Sequence, residues 1–552
     1  MTQGISHIPV IDIFAGPGGL GEGFSAWSSR QATSFEVRLS IEKEPFAHET
    51  LELRMFFREF GLSGFRVPDD YYSFLRKEIS RNELFTRYER QANAARRKAW
   101  LAELGTKTCQ RSEVNQRISA ALNEERMFVL IGGPPCQAYS IVGRSRRSKI
   151  DIEKYNPEKD VRQRLYVEYL QILADHQPVV FVMENVKGLL SAKLKDEEVF
   201  KKMLNDLREP AIALQREGRQ VTSHSAFGYR LFSLVEKGEC FPDADVKNFL
   251  VQTEEYGIPQ ARHRVIILGI RNDLPAVVPK RLKEKKIRNL CHALKGLPRL
   301  RSGLSKGESS DERWFVTLKE TLNAVGDGRK LTETQRNVKK ILFQKLTKLH
   351  TPQCGFGGEF VNYTGTRGNG RTPTWADKQF GDLRIGGTCN HEARKHMPED
   401  LHRYFYAACH TILTGISPTL AEFPLPLLPQ HRNVQDLMGT SGESRQLNRS
   451  EIKFPDRFRV QPFNRPCTTV TSHIAKDGHY YIHPDATQCR SFTVREAARI
   501  QTFPDNYVFC GPRTAQYQQV GNAVPPLLAR QIAGIVHDVL IQVGLVSTRR
   551  KK

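Results

Sequence analysis

The sequence predicts an α/β fold built on a parallel sheet, and three observations support this prediction. Apolar or alternating runs recur at residues 8–14, 35–42, 127–131, 178–183 and 264–270. Segments long enough to hold a helix separate the runs, and a glycine-rich turn follows the first of them. Strands of a parallel sheet have such apolar runs because helices cover both faces of the sheet.

Composition places the chain among globular proteins. Of its 552 residues, 39% are hydrophobic and 26% are charged, which excludes a disordered acidic chain. The longest apolar runs, such as residues 179–183, are too short to span a bilayer, and the N-terminus lacks the basic and apolar regions of a secretory signal. Ten cysteines occur without any Cys-x-x-Cys spacing. We therefore expect a soluble cytoplasmic protein with free thiols and no membrane partner.

The charge indicates the class of partner. Lys and Arg total 83 against 60 Asp and Glu, a net charge of +23. Residues 280–455 alone hold 30 Lys and Arg against 17 Asp and Glu, or +13 of that excess. Such an excess favours a polyanion, and nucleic acid is the commonest soluble one. The alternative is a basic surface that binds only water.

Changes in composition and apolar pattern along the chain predict the domain organisation. Residues 1–279 are expected to form the main domain, with a helical insertion at about 54–126. The polar, irregular stretch 280–455 is expected to form a separate, smaller basic domain. Residues 456–552 are expected to return to the main domain and to include an apolar helix at 526–545.

The glycine loop after the first strand is a candidate ligand site. Gly16-x-Gly18-x-x-Gly21 precedes a predicted helix. Its glycines let a ligand approach the backbone, and the N-terminus of the helix offers free N–H groups. Glu42 ends the next strand, where a carboxylate can hold both hydroxyls of a ribose. Taken alone, the loop fits NAD, FAD or S-adenosylmethionine, and a glycine turn without a ligand is the alternative.

Four residues at strand ends are the candidates for chemistry. Cys136 follows Gly132-Gly133-Pro134-Pro135 at the edge where α/β sheets bind ligands, so it is a candidate nucleophile once it is a thiolate. Glu184 ends the next strand and is a candidate general acid. Alternation places Arg262 and Arg264 on one face of a further strand, toward an anionic or carbonyl-bearing target. A buried thiol, a helix cap and a solvent-facing strand edge are the structural alternatives.

Together these segments resemble, in the same order, the signature blocks of the DNA cytosine-5 methyltransferase family. The blocks lie at residues 12–19, 133–137, 184–186, 260–264, 465–469 and 521–526. The resemblance covers about residues 8–53, 127–275 and 460–545. The family's variable recognition domain falls where the basic stretch 280–455 lies.

The resemblance implies a Rossmann-like, S-adenosylmethionine-dependent methyltransferase sheet with a smaller basic target-recognition domain. It implies that Cys136 attacks a flipped-out cytosine, that Glu184 protonates the ring, and that Arg262 and Arg264 anchor it. In this family an acid contacts the adenine of the cofactor, and Asp69 and Asp70 are the candidates for that acid here. The residues that the resemblance assigns to S-adenosyl-L-methionine are Phe14, Ala15, Gly16, Gly18, Gly19, Leu20, Glu42, Pro134 and Asn522.

The expected function is sequence-specific methylation of double-stranded DNA by a monomer, at the nucleoid of a prokaryotic cell. The resemblance implies a restriction–modification role, with a cognate restriction endonuclease as a functional rather than a physical partner. A tRNA cytosine-5 methyltransferase and a non-catalytic DNA-binding regulator are the alternatives, while a nicotinamide dehydrogenase would leave Cys136 unexplained. No metal is predicted. A helix with a polar face is preferred to a zinc site for Cys389, His391, His396, His402, Cys409 and His410.

Overall fold

The computed structural model of the chain describes residues 6–29, 33–135, 161–191, 193–194, 197–222, 227–239, 245–326, 330–362, 373–429 and 454–547. Within these residues, one eight-stranded sheet forms the centre of the molecule. Its strands are β1 (Ser6–Ile13), β2 (Thr33–Glu42), β3 (Ala99–Leu101), β4 (Val129–Gly132), β5 (Val180–Val186), β6 (Tyr229–Phe232), β7 (Leu250–Gln252) and β8 (His263–Arg271).

The strand order is β3-β2-β1-β4-β5-β8-β6, with β7 also pairing with β8. Strands β3, β2, β1, β4 and β5 are mutually parallel, as the sequence predicts. Strand β8 is antiparallel to β5 and β6, so the sheet is mainly parallel, as predicted, and mixed at this end. Apolar patterning places a strand in the sheet but does not determine its direction, which depends on the connections.

Helices cover both faces of the sheet. The described helices that pack in or around the main domain are α1 (Gly19–Ser25), α2 (Pro45–Leu62), α3 (Asp69–Leu75), α4 (Arg81–Arg87), α5 (Glu89–Lys98), α6 (Arg111–Leu122), α7 (Val161–His176), α8 (Val199–Arg208) and α9 (Pro210–Arg216). One face, with Ile11 and Phe181, packs against α6 to α9. The other face, with Val10 and Val182, packs against α1 and a C-terminal helix. This three-layer arrangement is the predicted α/β class.

The predicted strands at 8–14, 35–42, 127–131, 178–183 and 264–270 correspond to β1, β2, β4, β5 and β8. Strands β3 and β7 have three residues each, and β6 has an arginine among its four, so none of them forms a continuous apolar run like that of β4. Helix α1 begins inside the glycine loop, at Gly19.

Residues 54–126, the predicted helical insertion, contain the end of α2 and all of α3 to α6. They also contain the short strand β3, which extends the sheet beside β2. Aromatic residues of α2 to α4 form a compact cluster that includes Phe56, Tyr71 and Phe85. The insertion therefore has an apolar core, which it shares with Ile385 and Cys389 of the predicted basic domain.

Residues of the predicted basic domain pack around a separate core. Its described elements are α10 (Leu290–Leu294), α11 (Asp311–Ala324), α12 (Glu333–Thr347), β9 (Gly357–Asn362), α13 (Trp375–Phe380), β10 (Gly387–Glu392) and α14 (Pro398–Thr414). Trp314 and Tyr404 are at its centre. Phe458, Ile482 and Cys489 join the same core. The boundary at residue 455 stays a prediction, and residues beyond it contribute to this packing.

The prediction of one helix carrying Cys389 to His410 was wrong. Cys389 and His391 lie on strand β10, and His410 lies on α14, which is buried along most of its length. His391 contacts Thr493 Oγ1 and the carbonyl of Pro298, both at 2.9 Å. Among the described residues, no group of three His, Cys, Asp or Glu side chains is arranged to hold a metal ion.

The C-terminal segment supplies α15 (Val494–Ile500), α16 (Arg513–Asn522) and α17 (Pro526–Gln542). Helix α17 confirms the predicted apolar helix and packs on α1 through residues such as Leu528 and Ile532. The stretch Arg513–Gln542 is long and apolar enough to cross a membrane, but 67% of its apolar window is buried inside the protein. Its hydropathy is therefore explained by its place in the core.

Candidate active site

The predicted site residues that the structure describes converge on one edge of the sheet. Strands β1, β2, β4 and β5 end there because they are parallel, and antiparallel β8 begins there. The pairing of Arg264 with Val186 fixes the start of β8 beside the end of β5. Open α/β sheets bind ligands at this edge.

The glycine loop is held open by left-handed backbone conformations. Phe14, Gly16 and Gly18 have φ angles of 55°, 58° and 86°. The N–H of Ala15 donates to the carbonyl of Ile41 at 3.1 Å, which joins the loop to the end of β2. Nothing lies within 4 Å of the position that a side chain at Gly16 would occupy, so the loop leaves open space there.

Glu42 fastens the loop and faces the same space. Its Oε2 accepts the Gly16 N–H at 2.7 Å, and its Oε1 accepts the Glu44 N–H at 2.8 Å. Burial raises the pKa of Glu42, while these N–H groups act in the opposite direction. Each carboxylate oxygen has a further lone pair, so Glu42 suits a ligand with two adjacent hydroxyl groups.

The glycine loop meets the C-terminal block around Asn522. A side chain at Gly19 would place its first carbon 2.2 Å from the carbonyl oxygen of Val524, so the two backbones touch. Asn522 ends α16 with an exposed side chain. The Leu20 side chain lies in the core beside Val524, which leaves only its backbone for a ligand. Two segments about 500 residues apart thus form one wall.

Glu184 forms an ion pair with Arg264. Arg264 Nε lies 2.8 Å from Glu184 Oε1, and both side chains are mostly buried. Burial lowers the pKa of Arg264, while Glu184 counteracts that effect. A side chain at Gly133 would place its first carbon 2.9 Å from Glu184 Oε2, so only glycine lets the loop after β4 lie on this carboxylate.

Pro134 is buried, and its carbonyl accepts a hydrogen bond from Asn185 Nδ2 at 3.3 Å. This contact ties the loop after β4 to the end of β5. Cys136 and Gln137, the predicted nucleophile and its neighbour, lie outside the described residues.

Arg262 is placed differently from Arg264. Its guanidinium is buried and donates to the carbonyls of Val470 at 2.7 Å and Gly521 at 3.2 Å. Burial lowers the pKa of Arg262 well below its usual range, and the charge of Arg264 lowers it further. Arg262 therefore joins the two C-terminal blocks to the sheet edge.

Sequence reasoning missed two buried glutamines beside Arg262. Gln260 accepts the Val470 N–H at 2.6 Å and donates to Gln501 Oε1 at 2.9 Å. Gln501 in turn donates to the carbonyl of Val520 at 2.8 Å. Gln260 belongs to the block at residues 260–264, but the sequence around Gln501 gives no sign that the two glutamines pair, since 241 residues separate them.

Glu103 is a further acid at this edge that the sequence did not single out. It follows the end of β3, and Lys43 Nζ donates to its Oε1 at 3.0 Å. The predicted candidates lie elsewhere. Asp69 forms an ion pair with Arg384 and Asp70 with Arg87, both at the start of α3 rather than at a strand end.

Comparison with known proteins gives one family and many relatives. The family model described as C-5 cytosine-specific DNA methylase matches residues 104–211 and 245–537. The type II methyltransferase M.Bpa9945I of Bacillus paralicheniformis is 32% identical over 547 residues, covering 96% of this chain and 99% of the relative.

Two more distant relatives are similar over most of their length. The type II methyltransferase M.DdeI of Desulfomicrobium norvegicum is 25% identical, covering 76% of this chain and 74% of the relative. The DNA (cytosine-5-)-methyltransferase M.ApeKI of Aeropyrum pernix is 27% identical, covering 75% of this chain and 81% of the relative. The family match includes Glu184, Arg264 and Asn522 of the edge described above, whereas the glycine loop and Glu42 precede it.

Proposed function

Because this chain belongs to the C-5 cytosine-specific DNA methylase family, we propose that it methylates C5 of a flipped-out cytosine in duplex DNA through a covalent adduct with Cys136. The observation that carries the proposal is the Glu184–Arg264 ion pair beneath Gly133. It puts an acid and a cation directly beside the loop that leads to Cys136.

The covalent step activates an unreactive carbon. The Cys136 thiolate forms a bond to C6, and the electron pair of the C5–C6 double bond moves onto C5 while N3 gains a proton from Glu184. After C5 has taken the methyl group, water removes the C5 proton. The electron pair of that C–H bond re-forms the C5–C6 double bond as the thiolate leaves C6, and N3 returns its proton to Glu184. Arg264 holds Glu184 and the O2 side of the base, and Arg262 positions the C-terminal blocks.

The residues at the edge fit S-adenosyl-L-methionine, which supplies an electrophilic methyl group on its sulfonium when bound. Glu42 would hold the ribose hydroxyls, and Glu103, which follows β3 at the same edge, is the acid proposed for the adenine. The other proposed contacts are Phe14, Ala15, Gly16, Gly18, Gly19, Leu20 through its backbone, Pro134 and Asn522. The open space beside Gly16 supports this assignment.

A base inside stacked DNA cannot reach this edge, so the target cytosine must leave the duplex, at a cost of a few kcal/mol. Contacts between the basic residues 280–455 and the phosphates would offset this cost. Binding should weaken steeply as salt rises from 50 to 200 mM, because each neutralised phosphate releases counterions. A flat salt response would contradict the role given to this domain.

The first test is transfer of labelled methyl groups to duplex DNA and to tRNA side by side. Wild-type protein should label DNA, and Cys136→Ala should not, although it still binds S-adenosylhomocysteine. Cys291→Ala is the matched control, because Cys291 is an exposed thiol that is not among the proposed site residues, and its loss should leave activity unchanged. Activity in Cys136→Ala would exclude the covalent mechanism, and labelling of tRNA alone would exclude the proposed substrate.

Three further tests address chemistry and role. Duplex DNA carrying 5-fluorocytosine should trap wild-type protein covalently, since fluorine cannot leave as a proton does. Glu184→Gln should lower kcat by about 10²-fold or more, the usual effect of removing a general acid. Bisulfite sequencing of a plasmid methylated in cells should reveal one recognition sequence. That result would support a cytoplasmic modification enzyme of a restriction–modification system, acting as a monomer beside a separate endonuclease.

A further inference from the structure

A series of polar contacts connects the helix after the glycine loop to residues 380–392 of the predicted recognition domain. The first contact is at Glu22 on α1, whose side chain is 3% exposed. Arg54 donates to it through Nε at 2.8 Å and Nη2 at 2.6 Å, and Arg58 adds a third contact at 2.6 Å. Burial would raise the pKa of Glu22, but the two guanidinium groups lower it, so Glu22 is a carboxylate.

The second contact leaves Arg54 in the opposite direction. Its Nη1 donates to Asn506 Oδ1 at 3.0 Å, and Asn506 Nδ2 donates to Asp382 Oδ2 at 2.9 Å. A planar guanidinium can contact Glu22 and Asn506 together, which the single ammonium of a lysine cannot do in the same geometry. The amide of Asn506 thus joins the main domain to residue 382 through both of its polar atoms.

Helix α3 of the insertion completes the junction. Tyr72 Oη donates to Asp382 Oδ2 at 2.9 Å, and the N–H of Arg384 donates to Asp382 Oδ1 at 3.1 Å. The Arg384 guanidinium lies 4.1 Å from the centre of the Tyr72 ring and forms an ion pair with Asp69. The turn at residues 383–385 is therefore held from two sides.

Apolar packing follows the same path. Ile385 and Cys389 of the predicted recognition domain are buried in the cluster formed by Phe56 and other aromatic residues of the insertion. A cavity of about 200 Å³ lined by Gly18 and Arg54, among others, lies at the start of the path. The cavity therefore adjoins both Gly18 of the glycine loop and the Arg54 side chain.

We propose that Arg54 and Asn506 are positioning residues that couple cofactor binding at the glycine loop to the placement of residues 380–392 on DNA. The proposal rests on the function proposed above. Neither residue touches the reacting atoms. Their contacts give binding at one site an energetic effect at the other, and thermodynamic linkage makes that effect reciprocal.

The test measures coupling directly. The dissociation constant of S-adenosylhomocysteine is determined with and without a duplex that carries the recognition sequence found by bisulfite sequencing. For wild type we expect the duplex to tighten binding at least about 5-fold, the lower end of usual allosteric coupling. Asn506→Asp keeps the size of the side chain and the oxygen that accepts from Arg54, but it places a second carboxylate against Asp382. In this variant the duplex should therefore change the dissociation constant by less than twofold. Its affinity without DNA should stay within twofold of wild type.

The control is Lys77→Ala. Lys77 and Glu359 form an ion pair at 2.6 Å between the same two parts of the molecule, but both side chains are more than half exposed. This variant should keep the wild-type coupling, because exposed ion pairs contribute little. Asp382→Asn serves as the second variant if Asn506→Asp does not fold.

The outcomes separate the two proposals. An uncoupled wild type, an Asn506→Asp variant with wild-type coupling, or an equal loss in Lys77→Ala would each overturn the positioning role. A wild-type protein that methylates no DNA would instead overturn the proposed function.

Discussion

The close approach of Gly19 to Val524 gives the sharpest prediction about cofactor binding. Gly19 begins α1, and a first side-chain carbon there would lie 2.2 Å from the carbonyl oxygen of Val524. Ordinary contact begins at 3.4 Å, so in Gly19→Ala the two backbones must separate by 3.4 − 2.2 = 1.2 Å. The gap would open between the two segments proposed to hold the cofactor.

The displacement cannot be absorbed cheaply, because the C-terminal block is anchored from behind. Gln501 donates to the carbonyl of Ala523 at 3.3 Å, and Arg262 donates to that of Gly521 at 3.2 Å. Overpacking of this kind costs about 1–3 kcal/mol, and a misplacement of about 1 Å can lower a rate about 10²-fold. We expect the affinity of Gly19→Ala for S-adenosylmethionine to fall at least about 10-fold, as 1.4 kcal/mol would produce.

Isothermal titration of three glycine variants tests this reasoning. Gly61→Ala is the matched control, because Gly61 is also helical but has nothing within 4 Å. It should bind like wild type and gain up to about 1 kcal/mol of helix stability. Gly16→Ala has open space but a φ of +58°, so it should lose about 1–2 kcal/mol of stability through strain. A Gly19→Ala protein that binds within twofold of wild type would refute the argument.

Three further predictions concern stability and thiol reactivity. Glu496→Gln leaves the fully buried Arg490 without its charge partner, so the free energy of unfolding in urea should fall by about 3–5 kcal/mol, and a loss below about 1 kcal/mol would contradict this. Burial lowers the pKa of His391 to about 4, below its unfolded value of about 6.5. Above about pH 6.5 the imidazole is neutral in both states, and its stabilising effect is fully present. As the pH falls toward 4, protonation of the unfolded state lowers the free energy of unfolding by about 1.4 kcal/mol per pH unit, so His391→Gln should flatten the pH dependence of unfolding. Alkylation of the native protein followed by peptide mapping should modify the exposed Cys291 before the buried Cys467, whose pKa burial raises, and equal rates would contradict the burial described.

The sequence predicts the main sheet well where strands are long and buried. Strands β1, β4 and β5 are continuous apolar runs because both of their faces are covered. The edge strand β3 consists of Ala99, Trp100 and Leu101 alone, and a run of three residues has no measurable period. Because β3 was not predicted, Glu103 was not recognised as an acid at the end of a strand, where a ligand could contact it.

The positions of strand ends in the sequence were enough to select the candidate site residues. They were not enough to predict the different surroundings of each side chain. Arg262 and Arg264 are equivalent by alternation, yet one binds backbone carbonyls and the other binds Glu184. The difference arises from what packs above each side chain, and Val470 lies 208 residues further along the chain. The contact between Arg54 and Asn506 spans 452 residues, so local pattern carries no trace of it.

These long-range contacts explain how the fold tolerates a large domain inserted before its last segment. The entropy cost of closing a loop grows only with the logarithm of its length, so a long insertion adds little once the ends of the loop meet. Buried groups then hold those ends together: Tyr507 donates to the carbonyl of Pro17, and Gln260 binds Gln501. Each contact joins the sheet edge to the segment after the inserted domain. The predicted recognition domain can therefore vary in length and sequence while the edge proposed to bind the cofactor keeps one geometry.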